Sequence, residues 1–521
     1  MKKLVLCTSI AVALTACGGS DSKKPTPISS RSSSSSSTLA SSSAVVSSTA
    51  NSSVTNSSVA SSSAESSSSS SSVAAPKNVV FFLGDGMGIT TLTAARIYGV
   101  GEDGELTIDT FPETAFIKTY SNDAQVTDSA PSMAAYMTGV KMNNEVISMT
   151  PETKAFDENG DSYLSSGNST CPTTNGQPVT TLLEIAKEAG LATGVVTTTR
   201  ITHATPAVTY SHTCHRDAEN TIAAQLVPAG EGFNAKLGDG IDVVLGGGRQ
   251  FFQSTNAGGK RTDNRDLIAE LKTQKYSYAS NKAELDALDP VTATKIVGLF
   301  NSSHMNYDLV RATTNEPSLA EMTIKAIQVL KKNSKGMFLM VEGGRIDHAL
   351  HETTAIKALQ DTIAFDNAIK AGIEEIKKID PTLANTLIVV TADHDHTLVL
   401  NGYAARTGKT SPTNPGVLGL LRNYTDGSIA KDSDGMPFTI IGFGNGENRA
   451  AGDRKNFPAL TDAQVFADTY HQEAVIPVTT GGETHGGTNV FLGAMGKNAD
   501  SFAGVMDNTK VFSLIRSAVD L

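Results

Sequence analysis

Four apolar runs, far apart in the sequence, each end in residues that can bind a metal. KNVVFFLGDGMG leads to Asp85, GMFLMVEGGRIDHALH to Glu342, Asp347 and His351, TLIVVTADHDH to Asp393 and His394, and LATGVVTTTRITHATPA to His203 and Thr205. Such runs, bounded by glycine and followed by helical patterns, predict strands buried on both faces of a mostly parallel sheet. Ligands in sheets of this kind bind beyond the carboxyl ends of the strands. Carboxylates and imidazoles gathered there would repel one another, or lie poorly solvated, unless cations occupied the space between them. The pattern therefore predicts an α/β fold, a central sheet sandwiched by helices, and a multi-metal enzyme.

The beginning of the chain reads differently. MKKLVLCTSIAVALTAC carries two lysines, a short apolar stretch and small residues, the layout of a secretory signal. The stretch is too short for the ~20 residues that span a bilayer. Leu14-Thr15-Ala16-Cys17 resembles a bacterial lipobox, which implies a signal peptide at 1–16 and a lipid on Cys17; an ordinary signal with a chance cysteine is the alternative. Gly18 in the next position implies, by the same resemblance, the outer membrane, with the body facing the periplasm or the exterior. Residues 17–75 are dominated by serine and have too little apolar surface to offset the entropy of ordering, so a disordered tether is expected. A flexible coil of about 55 residues spans roughly 40 Å. The catalytic body is then 76–521, within which 402–457, rich in Gly, Asn, Asp and Thr, reads as inserted loops or a small subdomain.

With Cys7 lost in the signal and Cys17 acylated, Cys171 and Cys214 remain. An exported protein favours a disulfide between them, worth about 4 kcal/mol on the chain-entropy model; two unpaired buried thiols are the alternative. The 42 Lys and Arg against 53 Asp and Glu give a net charge of -11, which argues against a nucleic-acid partner. An anionic substrate would need local positive charge from metal and arginine.

In VTDSAPSMAAYMTGVK, Pro131 and Gly139 bracket a short helix predicted over Ser132 to Thr138. Ser129 then lies at a helix N-terminus, where free N–H groups and the dipole favour an anion. A plain serine N-cap is the other reading of the same position.

TDSAPSMAAYMTGVK, FFLGDGMG, VEGGRIDHALH, TADHDH and GETHGG occur in an order and spacing that resembles the alkaline phosphatase family, from about Pro76 to Leu521. The resemblance implies an alkaline phosphatase-like fold and hydrolysis of phosphate monoesters, of broad leaving group, through a phosphoserine on Ser129. It also implies two Zn2+ and one Mg2+ per subunit. Asp347 and His351, four apart on a helix and so on one face, would share one zinc with His485, an arrangement suited to a catalytic zinc with an open position. Asp393, His394, Asp85 and the Ser129 oxygen would form the second zinc site. Asp85 would bridge to a third site with Glu342 and Thr205, oxygen donors that suit magnesium. His203 and His348 depart from one branch of the family, which has Asp and Lys there, and resemble the animal enzymes; with His203 the third site is open to zinc as well. Arg216, thirteen residues after His203, matches the phosphate-binding arginine, whose planar fork bonds two oxygens. His396 matches a position that orients a metal-binding carboxylate. Cys214, two residues before Arg216, would let the disulfide restrain the arginine loop. Thr488-Asn489 stands where many relatives have an acidic pair.

The resemblance leaves a homodimer open. Competing readings are a phosphodiesterase of the same superfamily and a lipid-anchored binding protein with a decayed enzyme core. Sulfatases place an arginine two residues after the motif proline, and VTDSAPSMAAY has none there.

Overall fold

Each of the four apolar runs forms a strand, and the four lie side by side in the order Thr386–Ala392, Lys77–Gly84, Gly336–Gly343, Ala192–Arg200, all parallel. In register, Gly84 pairs with Ala392 on one side and Gly343 on the other, and Glu342 pairs with Thr197. Asp85 and Asp393 therefore emerge level with one another at one end of the sheet, with Glu342, paired with Leu83, two residues behind them. This register turns four distant runs into a single site.

The computed structural model describes residues 75–521. The signal segment, Cys17 and the serine-rich stretch up to residue 74 lie outside the described residues. Among those described, the main sheet has ten strands. Beyond Ala192–Arg200 it continues in parallel through Val243–Gly247, Ile296–Leu299 and Ser277–Ala279. On the other side, Val490–Gly496 runs antiparallel between Thr386–Ala392 and Glu113–Lys118, with Gly504–Asp507 at the edge. Mostly parallel is the right description.

Successive residues of a strand point to opposite faces. Phe81 packs against Tyr136 of the helix Ser129–Thr138, whereas Phe82 packs against Phe365 of the helix Ala355–Lys377. Helices thus cover both faces, and Val79 to Leu83 are wholly buried between them. The helix Leu319–Leu330 shows why such segments dock: Leu319, Met322, Thr323, Ala326, Ile327 and Leu330 fall on one face and are all buried.

The helix predicted over Ser132 to Thr138 starts three residues earlier, at Ser129. Asp128 is its cap, accepting the Ala130 N–H at 2.8 Å. Asp and Ser cap almost equally well, so sequence alone did not separate Asp128 from Ser129. Pro131, in the first turn, has no N–H to lose there, and Gly139 ends the helix at φ 73°.

Cys171 and Cys214 are bonded. Region 402–457 belongs to a wider unit, because its strand Ile441–Gly446 forms a separate three-stranded sheet with the flanking strands Leu398–Leu400 and Ala474–Pro477. Among the described residues no helix is long and apolar enough to cross a membrane.

Candidate metal centre and active site

Past the strand Lys77–Gly84 the chain turns sharply at Gly86, whose φ is 65°. A Cβ there would lie 2.6 Å from the His396 ring, so both the backbone conformation and the close approach require glycine. The turn holds Asp85 in place, and the Gly86 N–H donates to Asp393 Oδ1 at 3.0 Å.

Three clusters meet around Asp85. In the first, Asp347 Oδ1 lies 3.3 Å from His351 Nε2 and 3.5 Å from His485 Nε2, and the two imidazole nitrogens are 3.1 Å apart. In the second, His394 Nε2 is 3.2 Å from Asp85 Oδ1 and 3.4 Å from Asp393 Oδ2. The Ser129 hydroxyl enters this second group 3.2 Å from His394 Nε2 and 3.5 Å from Asp85 Oδ1. In the third, ligand-type atoms of Asp85, His203 and Glu342 all lie within 4.8 Å of one another, and Thr205 Oγ1 donates to Asp85 Oδ2 at 3.2 Å. The two oxygens of Asp85 thus face different clusters.

Asp85, Glu342, Asp393 and His394 are fully buried. Burial and the neighbouring Asp85 hold both Glu342 and Asp393 well above the usual carboxylate range. Burial also opposes ionisation of Asp347, but the surrounding His351, His396 and His485 outweigh it and hold that carboxyl well below its usual range. Among the described residues Glu342 Oε1 and His203 Nδ1 are buried without a hydrogen-bond partner. Buried anions that destabilise one another, with unused lone pairs aimed inward, fit divalent cations.

The polar surroundings orient these groups. His396 links Asp347 Oδ1 at 2.8 Å to Glu483 Oε2 at 2.5 Å. The Thr197 and Thr199 hydroxyls both donate to Glu342 Oε2, leaving Oε1 free. Arg216 sits opposite Ser129's helix cap, with Nη1 2.5 Å from Asp128 Oδ1 and Nη2 3.1 Å from His203 Nε2.

The family model for alkaline phosphatase matches residues 76–521. The chain belongs to the alkaline phosphatase family. It is 37% identical over 466 residues to the tissue-nonspecific alkaline phosphatase of Rattus norvegicus, covering 84% of this chain and 82% of that one. The fold is similar to that of Thermus thermophilus alkaline phosphatase, with a TM-score of 0.60, 25% identity, and coverage of 86% of this chain and 92% of that one. The enzyme of the Antarctic bacterium TAB5 has a TM-score of 0.58, 24% identity, and coverage of 86% and 99%. This alkaline phosphatase is an enzyme of metal-dependent phosphate-monoester hydrolysis.

Every metal-site residue expected from the sequence lies in or against these clusters. His348 packs on His203, ring centroids 5.3 Å apart, and faces Arg345 through Nδ1. Burial, then Arg345, push it down to about 4. Sequence reasoning passed over Asp128, Glu483 and His304. Glu483 lies inside GETHGG and could have been found there as a second acid beside His485. His304, whose ring meets that of His348 edge to face with centroids 4.2 Å apart, stands in NSSHMNY, where no periodicity or spacing marks it.

Proposed function

We propose that Ser129 is the nucleophile of this phosphatase, that Arg216 binds the phosphoryl group, and that the three clusters hold two zinc ions and one magnesium ion. Asp347, His351 and His485 take one zinc; Asp85, Asp393 and His394, with the Ser129 oxygen, take the other; Asp85, Glu342 and Thr205 take magnesium, with His203 leaving that site open to zinc. The observation that carries this reading is the place of the Ser129 hydroxyl. It is buried in the first turn of a helix, 3.2 Å from His394 Nε2 and 3.5 Å from Asp85 Oδ1.

When bound, the metals supply positive charge that eases ionisation of a serine hydroxyl and of water and offsets charge on the apical oxygens. Ser129 Oγ attacks phosphorus in line, the alcohol leaves, and a phosphoserine forms. Arg216 holds equatorial oxygens through its planar fork, while Asp128 fixes the direction of the guanidinium. The N–H groups at the helix start add to the binding of the anion. Water then hydrolyses the phosphoserine to inorganic phosphate and frees Ser129.

Acid-quenching the enzyme with labelled phosphate should trap label on Ser129 in the wild type and none in Ser129→Ala with its metals retained. Label on the Ser129→Ala protein would sink the assignment. A rate on a phosphodiester exceeding that on a matched monoester would favour the diesterase reading instead.

The N-terminal sequence supports export by a signal at 1–16, lipidation of Cys17, a tether over 17–75 and attachment to the bacterial outer membrane. Cys17→Ser should release the body from the membrane fraction; retention there would contradict the anchor. A homodimer is part of the same reading, and a monomeric mass by sedimentation would remove it.

A further inference from the structure

Both terminal nitrogens of the Arg216 guanidinium are held. Nη1 donates to Asp128, and Nη2 donates to His203 Nε2 at 3.1 Å. His203 is itself one corner of a triangle of imidazoles. Its ring centroid lies 5.4 Å from that of His304 and 5.3 Å from that of His348, and every pair in the triangle meets edge to face. A guanidinium can only donate, so each ring accepts from a different arginine. His203 accepts from Arg216, His304 Nε2 from Arg200 Nη1, and His348 Nδ1 from Arg345 Nη1 at 2.9 Å. His304 is the corner with no task in the reaction described above, yet it is firmly built in. It follows the strand Ile296–Leu299, two strands along the sheet from Ala192–Arg200. Its loop is pinned on both sides, because the Gly248 N–H donates to the Ser303 carbonyl at 2.7 Å and the Met305 N–H to the Thr198 carbonyl at 3.0 Å. Arg200 is clamped in turn by the buried Glu219, whose two oxygens accept from Nε at 2.8 and 3.1 Å.

We propose that His304 is a positioning residue for phosphate binding: its ring braces His203 in the orientation that accepts from Arg216 Nη2, and so presents the guanidinium fork to the phosphoryl group already aligned. The proposal rests on the reading of Arg216 given above. A free arginine side chain loses rotamers when it closes on an anion, and that ordering cost is subtracted from the affinity. Asp128 removes part of the cost by holding one terminal nitrogen. His203 removes more by holding the other, provided that its ring does not turn. In an edge-to-face triangle one ring turns only by displacing its two neighbours. Neither neighbour is free to yield, because Arg345, which lies 3.8 Å over the Tyr307 ring, anchors His348, and Arg200 anchors His304. Without the His304 ring, His203 has one brace in place of two and space to rotate away from Arg216.

The test is the inhibition constant of inorganic phosphate for the metal-loaded enzyme, with zinc and magnesium contents measured on the same samples. The variants are His304→Ala, His304→Asn, His304→Phe, Arg216→Ala, and His203→Ala with and without His304→Ala. His304→Ala should bind phosphate about fivefold more weakly at unchanged metal content, the size of one lost aromatic pair. His304→Phe keeps a ring against His203 and should stay within about twofold of wild type. Where His203 is already alanine, His304→Ala should cost nothing further, because its route to Arg216 is gone. His304→Asn keeps an acceptor for Arg200 but no ring, so it should bind phosphate as weakly as the alanine variant, and it carries the test if that variant folds poorly. Wild-type phosphate affinity in His304→Asn, or a His304→Ala penalty as large without His203 as with it, while Arg216→Ala weakens phosphate, overturns the proposal and leaves the role of Arg216 intact. Phosphate inhibition unchanged in Arg216→Ala would instead remove the arginine reading, and this proposal with it.

Discussion

Asp85 serves two clusters through its two oxygens, and the rest of the centre depends on how its neighbours are held. Thr197 and Thr199 use up one oxygen of Glu342, and His396 fixes one oxygen of Asp347. Removing a ligand and removing its support should differ in degree. Asp347→Ala or His485→Ala should each lose one zinc and most activity, and unchanged zinc content would take that residue off the ligand set. His396→Ala should keep all ligands but weaken zinc binding by about 10- to 100-fold; wild-type zinc affinity would deny it an orienting role. Most of the proposed ligands were legible because they follow an apolar run at a strand end or fall at helical spacing, whereas His485, in GETHGG, was legible only through the family resemblance. Asp128 and His304 were not, because capping and ring packing leave no periodic trace in sequence.

The arginine loop is held by two elements of different kinds. The Cys171–Cys214 disulfide ties it to the segment after the Asn168–Ser169 strand, and paired backbone bonds between Ile147 and Thr213 tie it to the stretch that follows the Ser129–Thr138 helix. Cys214→Ser should weaken phosphate affinity and lower stability by up to about 4 kcal/mol; wild-type values for both would show that the disulfide does not restrain the loop. In the helix Ala355–Lys377, burial and Asp308 push Asp361 up to about 8. Its folded value lies above the unfolded one, so the folded state binds its proton more tightly. The resulting loss of stability grows as pH rises from about 4 towards 8 and is complete above that. Asp361→Asn should therefore match wild type in urea at pH 4 and be more stable, by up to roughly 5 kcal/mol, at pH 9. Equal midpoints at pH 9 would contradict this. The strands were legible at this scale, whereas the start of the Ser129 helix was misplaced because two good caps stand side by side.

Across the whole molecule, parallel register carries the design. Four runs separated by as much as three hundred residues share one sheet edge, so a site spread through the sequence becomes compact. The sequence showed the runs and their ends but not the order of the strands, since register follows from packing on both faces. Nor did composition reveal that 402–457 shares a separate sheet with flanking strands. The central claim is that one metal-dependent phosphomonoesterase site forms where these ends meet. Its most direct test is p-nitrophenyl phosphate hydrolysis by the purified protein, before and after chelation, with zinc and magnesium restored separately and together. Activity lost to the chelator and fully recovered only with both metals is the expected result; hydrolysis that survives complete removal of metal would contradict the account.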